Sequence, residues 1–302
     1  MRLLLLGCTG CVGRELVPML QAAGHSLTVV SRQARRLAGV DLIEADPALA
    51  ESWAPGTPLR RALEQAEGVV NLAGEPIAEK RWTPAHVQLL HSSRLNTTRQ
   101  LVAAIKASPT PPQVLVSASA IGFYGSSLSA RFNESSPAGA DVLAGLCQQW
   151  EAAAAEVPDG TRLVIPRIGI VLAADGGALA KMLPIFRLGF GGPIGSGQQW
   201  MSWIARTDLC RLISAALVDG SYQGTYNATA PQPQSMQRFC VELGRALRRP
   251  SLLPVPAPVL KLLLGDGAKV VLEGQQVLPE RLQQQGFEFS AASLPEAFKA
   301  IV

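Results

Sequence analysis

Leu3-Leu4-Leu5-Leu6-Gly7-Cys8-Thr9-Gly10-Cys11-Val12-Gly13 decides how this chain is read. Four leucines in a row suit a strand buried on both faces, three glycines turn it, and Arg14 to Ala23 continues as an amphipathic helix. In a doubly wound α/β sheet the first glycine of such a turn permits the bend. The second lets the backbone approach a pyrophosphate, and the third lets helix and strand pack closely. The helix N-terminus then offers free N–H groups and the positive end of its dipole to an anion. Gly7, Thr9, Gly10, Cys11, Val12 and Gly13 are therefore candidate phosphate-binding residues. The alternative is a plain strand-turn-helix, and the context on both sides of the turn favours the nucleotide reading.

The same stretch has a rival meaning, because Leu5-Leu6-Gly7-Cys8 has the outline of a lipoprotein cleavage box. Only one basic residue and a short apolar run precede the cysteine, whereas an export signal needs an apolar core of roughly 7–15 residues. A cytoplasmic protein is expected.

Of the 302 residues, 48% are apolar and 17% charged, which describes a globular chain with a substantial core. No apolar stretch approaches the ~18 residues of a membrane span, so no membrane partner is expected. The net charge of +4 comes from scattered Lys and Arg without interleaved aromatics, which argues against nucleic acid. Five dispersed cysteines suit a reducing compartment. Cys8 and Cys11 form a C-x-x-C, but no second Cys or His pair lies nearby, and His86 and His91 do not share a helix face. No metal is expected.

Strand and helix signals alternate over the first two thirds, predicting a parallel sheet with right-handed crossovers. Strands are expected at Leu3–Leu6, Leu27–Val30, Leu42–Ala45, Gly68–Leu72, Val114–Ser117 and Leu163–Ile165, with a long helix from Pro84 to Ala107. The layout is a Rossmann sheet, residues 1–174, with elements returning from about 199–230. From residue 175 to 302 glycine-rich loops and isolated helices (178–187, 207–217, 235–247, 294–301) predict a smaller C-terminal α/β substrate part packed directly against it. The glycine-dense stretch Gly189 to Gly197 must be a loop. A ligand cleft between the two parts is the natural place for chemistry.

Several stretches together resemble a known family. They are the Gly7-x-x-Gly10-x-x-Gly13 turn, Asn71-Leu72-Ala73-Gly74-Glu75-Pro76-Ile77, Lys80-Arg81-Trp82, Ser93-Arg94-Leu95-Asn96-Thr97-Thr98, Trp150-Glu151, Leu188 to Gly197, and Leu278-Pro279-x-Arg281-Leu282-x-x-x-Gly286-Phe287-x-Phe289. The chain looks like the atypical extended short-chain dehydrogenase/reductases, and more narrowly like epimerase-family proteins of the YfcH type. The match runs nearly end to end. It implies an NADP-binding (NADPH-binding) Rossmann domain and a small substrate domain. After the second strand the residues support NADP independently: Ser31-Arg32, with Arg35 and Arg36 close behind, offers a hydroxyl and cations where an NAD enzyme presents a carboxylate. The alternative is that Arg32 only solvates a strand end.

By family position Leu72, Ala73 and Gly74 line the cofactor, Ser117 closes the fifth strand, and Val171 lies near the nicotinamide. Arg94 resembles the family's inward-facing arginine, reaching phosphate or ribose; a surface salt bridge is its plain alternative. Glu75 and Arg81 face cofactor or substrate. The resemblance also leaves open a homodimer through the long helices after the fourth and fifth strands.

Typical members of the superfamily carry a Tyr-x-x-x-Lys pair on the helix after the fifth strand, where the lysine lowers the tyrosine pKa so that the phenol exchanges a proton with substrate. Aligned on Trp150-Glu151, those positions are Leu143 and Cys147. Neither side chain does that work. Ser119 is the candidate catalytic hydroxyl, against a turn hydroxyl that satisfies local backbone, and Tyr124 is the candidate substitute acid, against a structural corner. Ala205 replaces a histidine found in relatives, and Thr207-Asp208 reads as a helix cap. Two functions compete: an NADP-dependent oxidoreductase or epimerase-like enzyme acting on a small substrate, such as a sugar nucleotide or carbonyl compound, and a non-catalytic NADP-binding regulatory module. A structural protein without ligand is a third and weaker reading.

Overall fold

A computed structural model describes residues 1–33 and 38–302; Arg35 and Arg36 lie outside the described residues. The first half runs β1 (Arg2–Leu6), α1 (Gly13–Ala22), β2 (Ser26–Ser31), β3 (Asp41–Glu44), α2 (Pro58–Gln65), β4 (Gly68–Asn71), α3 (Pro84–Lys106), β5 (Val114–Ser117), β6 (Ser119–Ala120), β7 (Arg131–Phe132) and α4 (Val142–Ala155). It is followed by β8 (Arg162–Ile168), β9 (Ile170–Leu172), α5 (Gly177–Arg187), β10 (Trp200–Met201), β11 (Trp203–Ala205), α6 (Arg206–Val218) and β12 (Gly224–Ala228). The chain ends with β13 (Gln234–Ser235), α7 (Met236–Leu247), α8 (Ala257–Leu264), α9 (Lys269–Leu272), β14 (Gln276–Val277), α10 (Glu280–Gln284) and α11 (Leu294–Ile301).

The main sheet has the order β12-β8-β5-β4-β1-β2-β3, with every pair parallel. Its leucine strand is buried on both sides, and the alternation of side chains sorts it between the two helix layers of the sheet's core. Leu3 and Leu5 pack with Leu16, Leu20, Leu209 and Ile213 from α1 and α6. Leu4 and Leu6 pack with Leu59, Leu63, Leu101 and Ile105 from α2 and α3. Each fully buried leucine contributes about 1.5–3 kcal/mol, so this one strand anchors both layers.

Strand order reverses beside β1: β2 and β3 lie on one side, β4 and β5 on the other. Such a switch point opens a crevice at the carboxyl ends of the strands. Register sets Leu6 beside Asn71 and Asn71 beside Ser117, aligning three strand ends along that crevice. Asn71 is fully buried, donating to Thr98 Oγ1 (3.0 Å) and accepting from Ala73 N–H (3.2 Å).

A second core gathers Leu179, Leu183 and Phe186 of α5, Trp203, Phe239 of α7 and Phe298 of α11. The two cores meet through α6. Here the structure corrects one reading: Asp208 does not cap α6, whose cap position, Ala205, has no side-chain bond. Its buried carboxylate instead accepts the backbone N–H groups of Ser290 (2.8 Å) and Ala291 (3.1 Å), with Arg211 at 3.3 Å, tying the C-terminal segment to the Rossmann layer. Removing a buried carboxylate that holds two N–H groups and a cation costs about 3 kcal/mol. Asp208→Ala should therefore lower the urea midpoint by a corresponding amount without changing the m-value, and an unchanged midpoint would show that these bonds are not needed.

Candidate active site

The glycine turn is built as a cradle, and its three glycines are required for different reasons. Gly7 has φ +74°, and a Cβ there would collide with the backbone of Leu72 and Ala73 at the end of β4. Gly13 presses on the Cys8 carbonyl, again with no room for a side chain. Gly10 differs. It has no positive φ, and a Cβ on it would meet only the Gly7 carbonyl oxygen at 3.8 Å. Nothing within the chain calls for glycine at that position, whereas close approach of a pyrophosphate does.

Beyond it, the N–H groups of Cys11 and Val12 find no backbone acceptor among the described residues, and α1 begins with Gly13. The far side of the turn is clamped from the second core. Arg206 binds Glu15 through Nε (2.7 Å), the Cys11 carbonyl (3.2 Å) and Asp175, and Arg14 reaches the Asp175 carbonyl (2.8 Å). Burial opposes the charge of Arg206, and its two carboxylate partners outweigh that, raising its pKa.

The remaining cofactor candidates stand at or beside the strands, with Arg94 on α3. Leu72 continues the β1–β4 ladder through its N–H to Leu6 O (2.9 Å), with Ala73 and Gly74 following. Ser31 ends β2, buried, with its Oγ accepting from Gln33 N–H (3.2 Å), and Arg32 is exposed beyond it. Glu75 is ion-paired to Lys80 (2.8 Å), whose hydrogen bond, with added positive charge from Arg32, holds its carboxyl below the usual carboxylate range. Arg94 gives two N–H groups to the carbonyls of Leu90 (3.1 Å) and Glu75 (2.9 Å), and lies 5.3 Å from the Trp150 ring. It forms no salt bridge among the described residues, and burial lowers its pKa. Arg81 instead turns to the carbonyl of Leu262 (3.4 Å). Ser117 is fully buried, and its Oγ has no partner. Thr9 stands half-buried on the turn, and Val171 sits in β9 against Ile204 with its side chain on the first core.

Around Ser119 and Tyr124 lies a network that the sequence reading did not see. Arg167 of β8 grips Glu151 of α4 with two bonds of 2.8 Å, and both side chains are buried. Ser119 donates to the same carboxylate (2.6 Å). Tyr124 donates its only proton to Asn227 Oδ1 (2.6 Å) and accepts from Arg167 (2.9 Å), between the rings of Phe123 and Phe132. Burial pushes the phenol above its usual range. Tyr124 therefore stands as a corner post rather than a free acid. Leu143 and Cys147 do face this turn, at 3.4 and 3.9 Å from where a Gly122 side chain would begin. Glu151 was visible only as part of a motif, Arg167 lay beyond the expected strand Leu163–Ile165, and the two are 16 positions apart. No local spacing connects them.

Comparison with known proteins now places the chain. Residues 3–228 match the model of the NAD dependent epimerase/dehydratase family, and 255–301 match a domain of unknown function, DUF1731. The chain belongs to the epimerase/dehydratase family. Within that family it is similar to the chloroplastic epimerase family protein SDR39U1 homolog of Arabidopsis thaliana, with 44% identity over 98% of this chain and 85% of that one. It is also similar to the crystal structure of human epimerase family protein SDR39U1 with NADPH, with 38% identity, TM-score 0.90, and 100% and 99% of the two chains covered. A Thermus thermophilus UDP-glucose 4-epimerase complex with NAD shares the fold at 19% identity and TM-score 0.77, covering 99% and 97%.

Reactivity of the thiols follows from this family site. Burial pushes Cys8 and Cys240 up to about 12, Cys147 to about 11, and Cys210 upward as well, whereas Cys11 is half-buried on the glycine turn. In the folded protein at neutral pH, Cys11 alone should react rapidly with a chromogenic disulfide reagent, and all five should react after unfolding. Fast labelling that survives a Cys11→Ser substitution would contradict this assignment.

Proposed function

We propose that this chain binds NADP(H) in the crevice between β1 and β4 and acts in the cytoplasm as an oxidoreductase or epimerase-like enzyme on a small carbonyl or hydroxyl compound, a sugar nucleotide being one such class. Gly10 carries the reading: it is a glycine that neither backbone angle nor internal packing demands, at the point where a pyrophosphate must come close. The Cys11 and Val12 N–H groups and the dipole of α1 would meet that pyrophosphate. Ser31 and Arg32 fit a 2′-phosphate, with the guanidinium making charge-assisted bonds. Ser117 and the uncommitted N–H groups of Arg94 supply polar contacts further along the strand ends.

Bound there, the dinucleotide would supply or take up a hydride. The proton must be handled by this chain or by solvent. Ser119 holds its proton against Glu151, whose charge Arg167 balances, so the Ser119 lone pairs are left to accept a bond from a substrate hydroxyl. Substrate and nicotinamide would be oriented by Ser119 and Val171, without a phenolate.

A second reading has its own support. Leu143 and Cys147 face the site where the superfamily's Tyr and Lys stand, and the Cys147 thiol is pushed up to about 11. A regulatory NADP(H) sensor would need no more than the cradle. The two readings separate by experiment: NADPH oxidation that depends on this protein, in a carbonyl library or cell extract, supports the enzyme. A rise in Tm with NADPH and no turnover anywhere supports the sensor.

Binding tests the shared part. Arg32→Ala should weaken NADPH by about 10–100-fold and leave NADH nearly unchanged, corresponding to loss of a charge-assisted bond of about 1.5–3 kcal/mol. Gly10→Ala should fold with its Tm intact, because its Cβ has room, yet lose NADPH binding in a calorimetric titration. Wild-type affinity in Gly10→Ala would remove the observation on which the reading rests.

A further inference from the structure

Beyond the crevice, the second half of the chain leaves an apolar face uncovered. Leu188 and Leu262 are each 72% exposed and Leu252 79%, with Phe190, Leu253 and Leu263 more than half exposed beside them in sequence. Helix α8 buries none of its eight residues. These segments form one surface, because residues 249–255 are stitched along the loop after α5. Leu253 N–H bonds Gly191 O (3.1 Å), Val255 N–H bonds Pro193 O (2.9 Å), and Arg249 Nε bonds Arg187 O (3.0 Å). Helix α8 begins two residues after Val255.

The two segments themselves carry charge of one sign, and among the described residues the carboxylates that reach them are Glu79, 3.8 Å from Lys181, and Glu242, 2.6 Å from Arg245. Neither Gly176–Trp200 nor Leu243–Gly265 contains a single Asp or Glu. Arg187, Arg248, Arg249 and Lys261 are exposed there and enter no salt bridge among the described residues. Arg248 adds an independent sign. It closes α7 in the left-handed conformation (φ 54°), and it is the one non-glycine residue with positive φ among the described residues. Backbone energetics favour glycine at that cap, so the cation there is not explained by the fold.

We propose that this face docks on a bilayer surface bearing anionic phospholipid headgroups. Leu188, Phe190, Leu252 and Leu262 would enter at headgroup depth while Arg187, Arg248, Arg249 and Lys261 meet lipid phosphates. A bilayer can be engaged in this way without being crossed, and no helix among the described residues is long and apolar enough to cross one. The charge pattern disfavours a second copy of the chain, since a two-fold interface would set these unpaired cations against one another. A planar anionic layer with an apolar interior satisfies both halves of the surface.

The full chain should co-sediment with vesicles of phosphatidylcholine and phosphatidylglycerol, not with phosphatidylcholine alone, and binding should fall as salt is raised. Arg248→Gly, which relaxes the backbone, should keep or raise the Tm while weakening vesicle binding about fivefold. Leu252→Asp with Leu262→Asp, both on the surface, should abolish binding with the circular dichroism spectrum unchanged. The proposal is overturned by failure to bind anionic vesicles, or by wild-type binding in either variant. It is equally overturned if the protein is a dimer that the double aspartate variant splits, which would assign the face to a second copy.

Discussion

Gly7 lies so close to the backbone of Leu72 and Ala73 that no side chain fits between the ends of β1 and β4. That contact is the constraint on which the site depends. It brings the glycine turn and the end of the neighbouring strand together at the point where strand order reverses, so that one side of the crevice offers backbone N–H groups and the other presents Leu72, Ala73 and Gly74. The leucine strand supplies the rigidity behind it, because its two faces pack into two different helix layers and neither can shift without disturbing the other.

The second core is held to this turn by charge as well as by packing of the Cys11 side chain on Gly176. Arg206, at the start of α6, reaches Glu15 on α1, the carbonyl of Cys11 and Asp175 before α5. Asp208, two residues on, binds the N–H groups of Ser290 and Ala291. Helix α6 thus carries both fastenings: one to the cradle, one to the C-terminal segment. A motion of the second core relative to the sheet would have to break directional, charge-assisted bonds, which are among the stronger polar contacts in a folded chain.

The sequence makes the cradle legible because strand, turn and helix are contiguous and each has its own local physics. The parallel sheet was legible for the same reason, from the alternation of apolar runs and amphipathic stretches, although β8 runs to Ile168 rather than ending at Ile165. What escaped has a different physical character. Glu151 and Arg167 meet only because α4 and β8 are adjacent in space, and the corner formed by Tyr124, Asn227 and Arg167 joins residues 103 positions apart. Helix α8 is absent from the expected helices, and three prolines stand in Pro254–Pro258 at its start. Yet proline is tolerated in the first turn of a helix, and here Pro256 is the cap, Pro258 lies in the first turn and Gly265 (φ 60°) ends it. The reading of Asp208 as a cap failed because a first-turn acid next to a β-strand has competing partners, and two N–H groups arriving from residues 290 and 291 outcompete the helix's own.

Leucine at 143 and cysteine at 147 change what the rest of the site must balance. A lysine at position 147 would place a buried cation near Arg94, whereas the cysteine there is neutral under ordinary conditions, its thiol raised by burial. Glu151 is then balanced by Arg167 alone, and Ser119 completes its hydrogen bonding. Tyr124 and Asn227 satisfy each other. A buried pair that is fully satisfied contributes little net stability, and breaking it by removing one partner is strongly destabilising. Its consequence here is therefore orientation more than strength: it fixes which side of Ser119 faces the carboxylate. Ser117 Oγ, Glu134 Oε2 beside the end of β12, and the spare N–H groups of Arg94 are polar groups near the strand ends left without protein partners among the described residues. A ligand entering this crevice meets hydrogen-bond donors, the permanent cation of Arg94 and the carboxylate of Glu75, which is already paired with Lys80. These uncommitted donors and the buried cation suit the crevice chemically to anionic and hydroxyl groups.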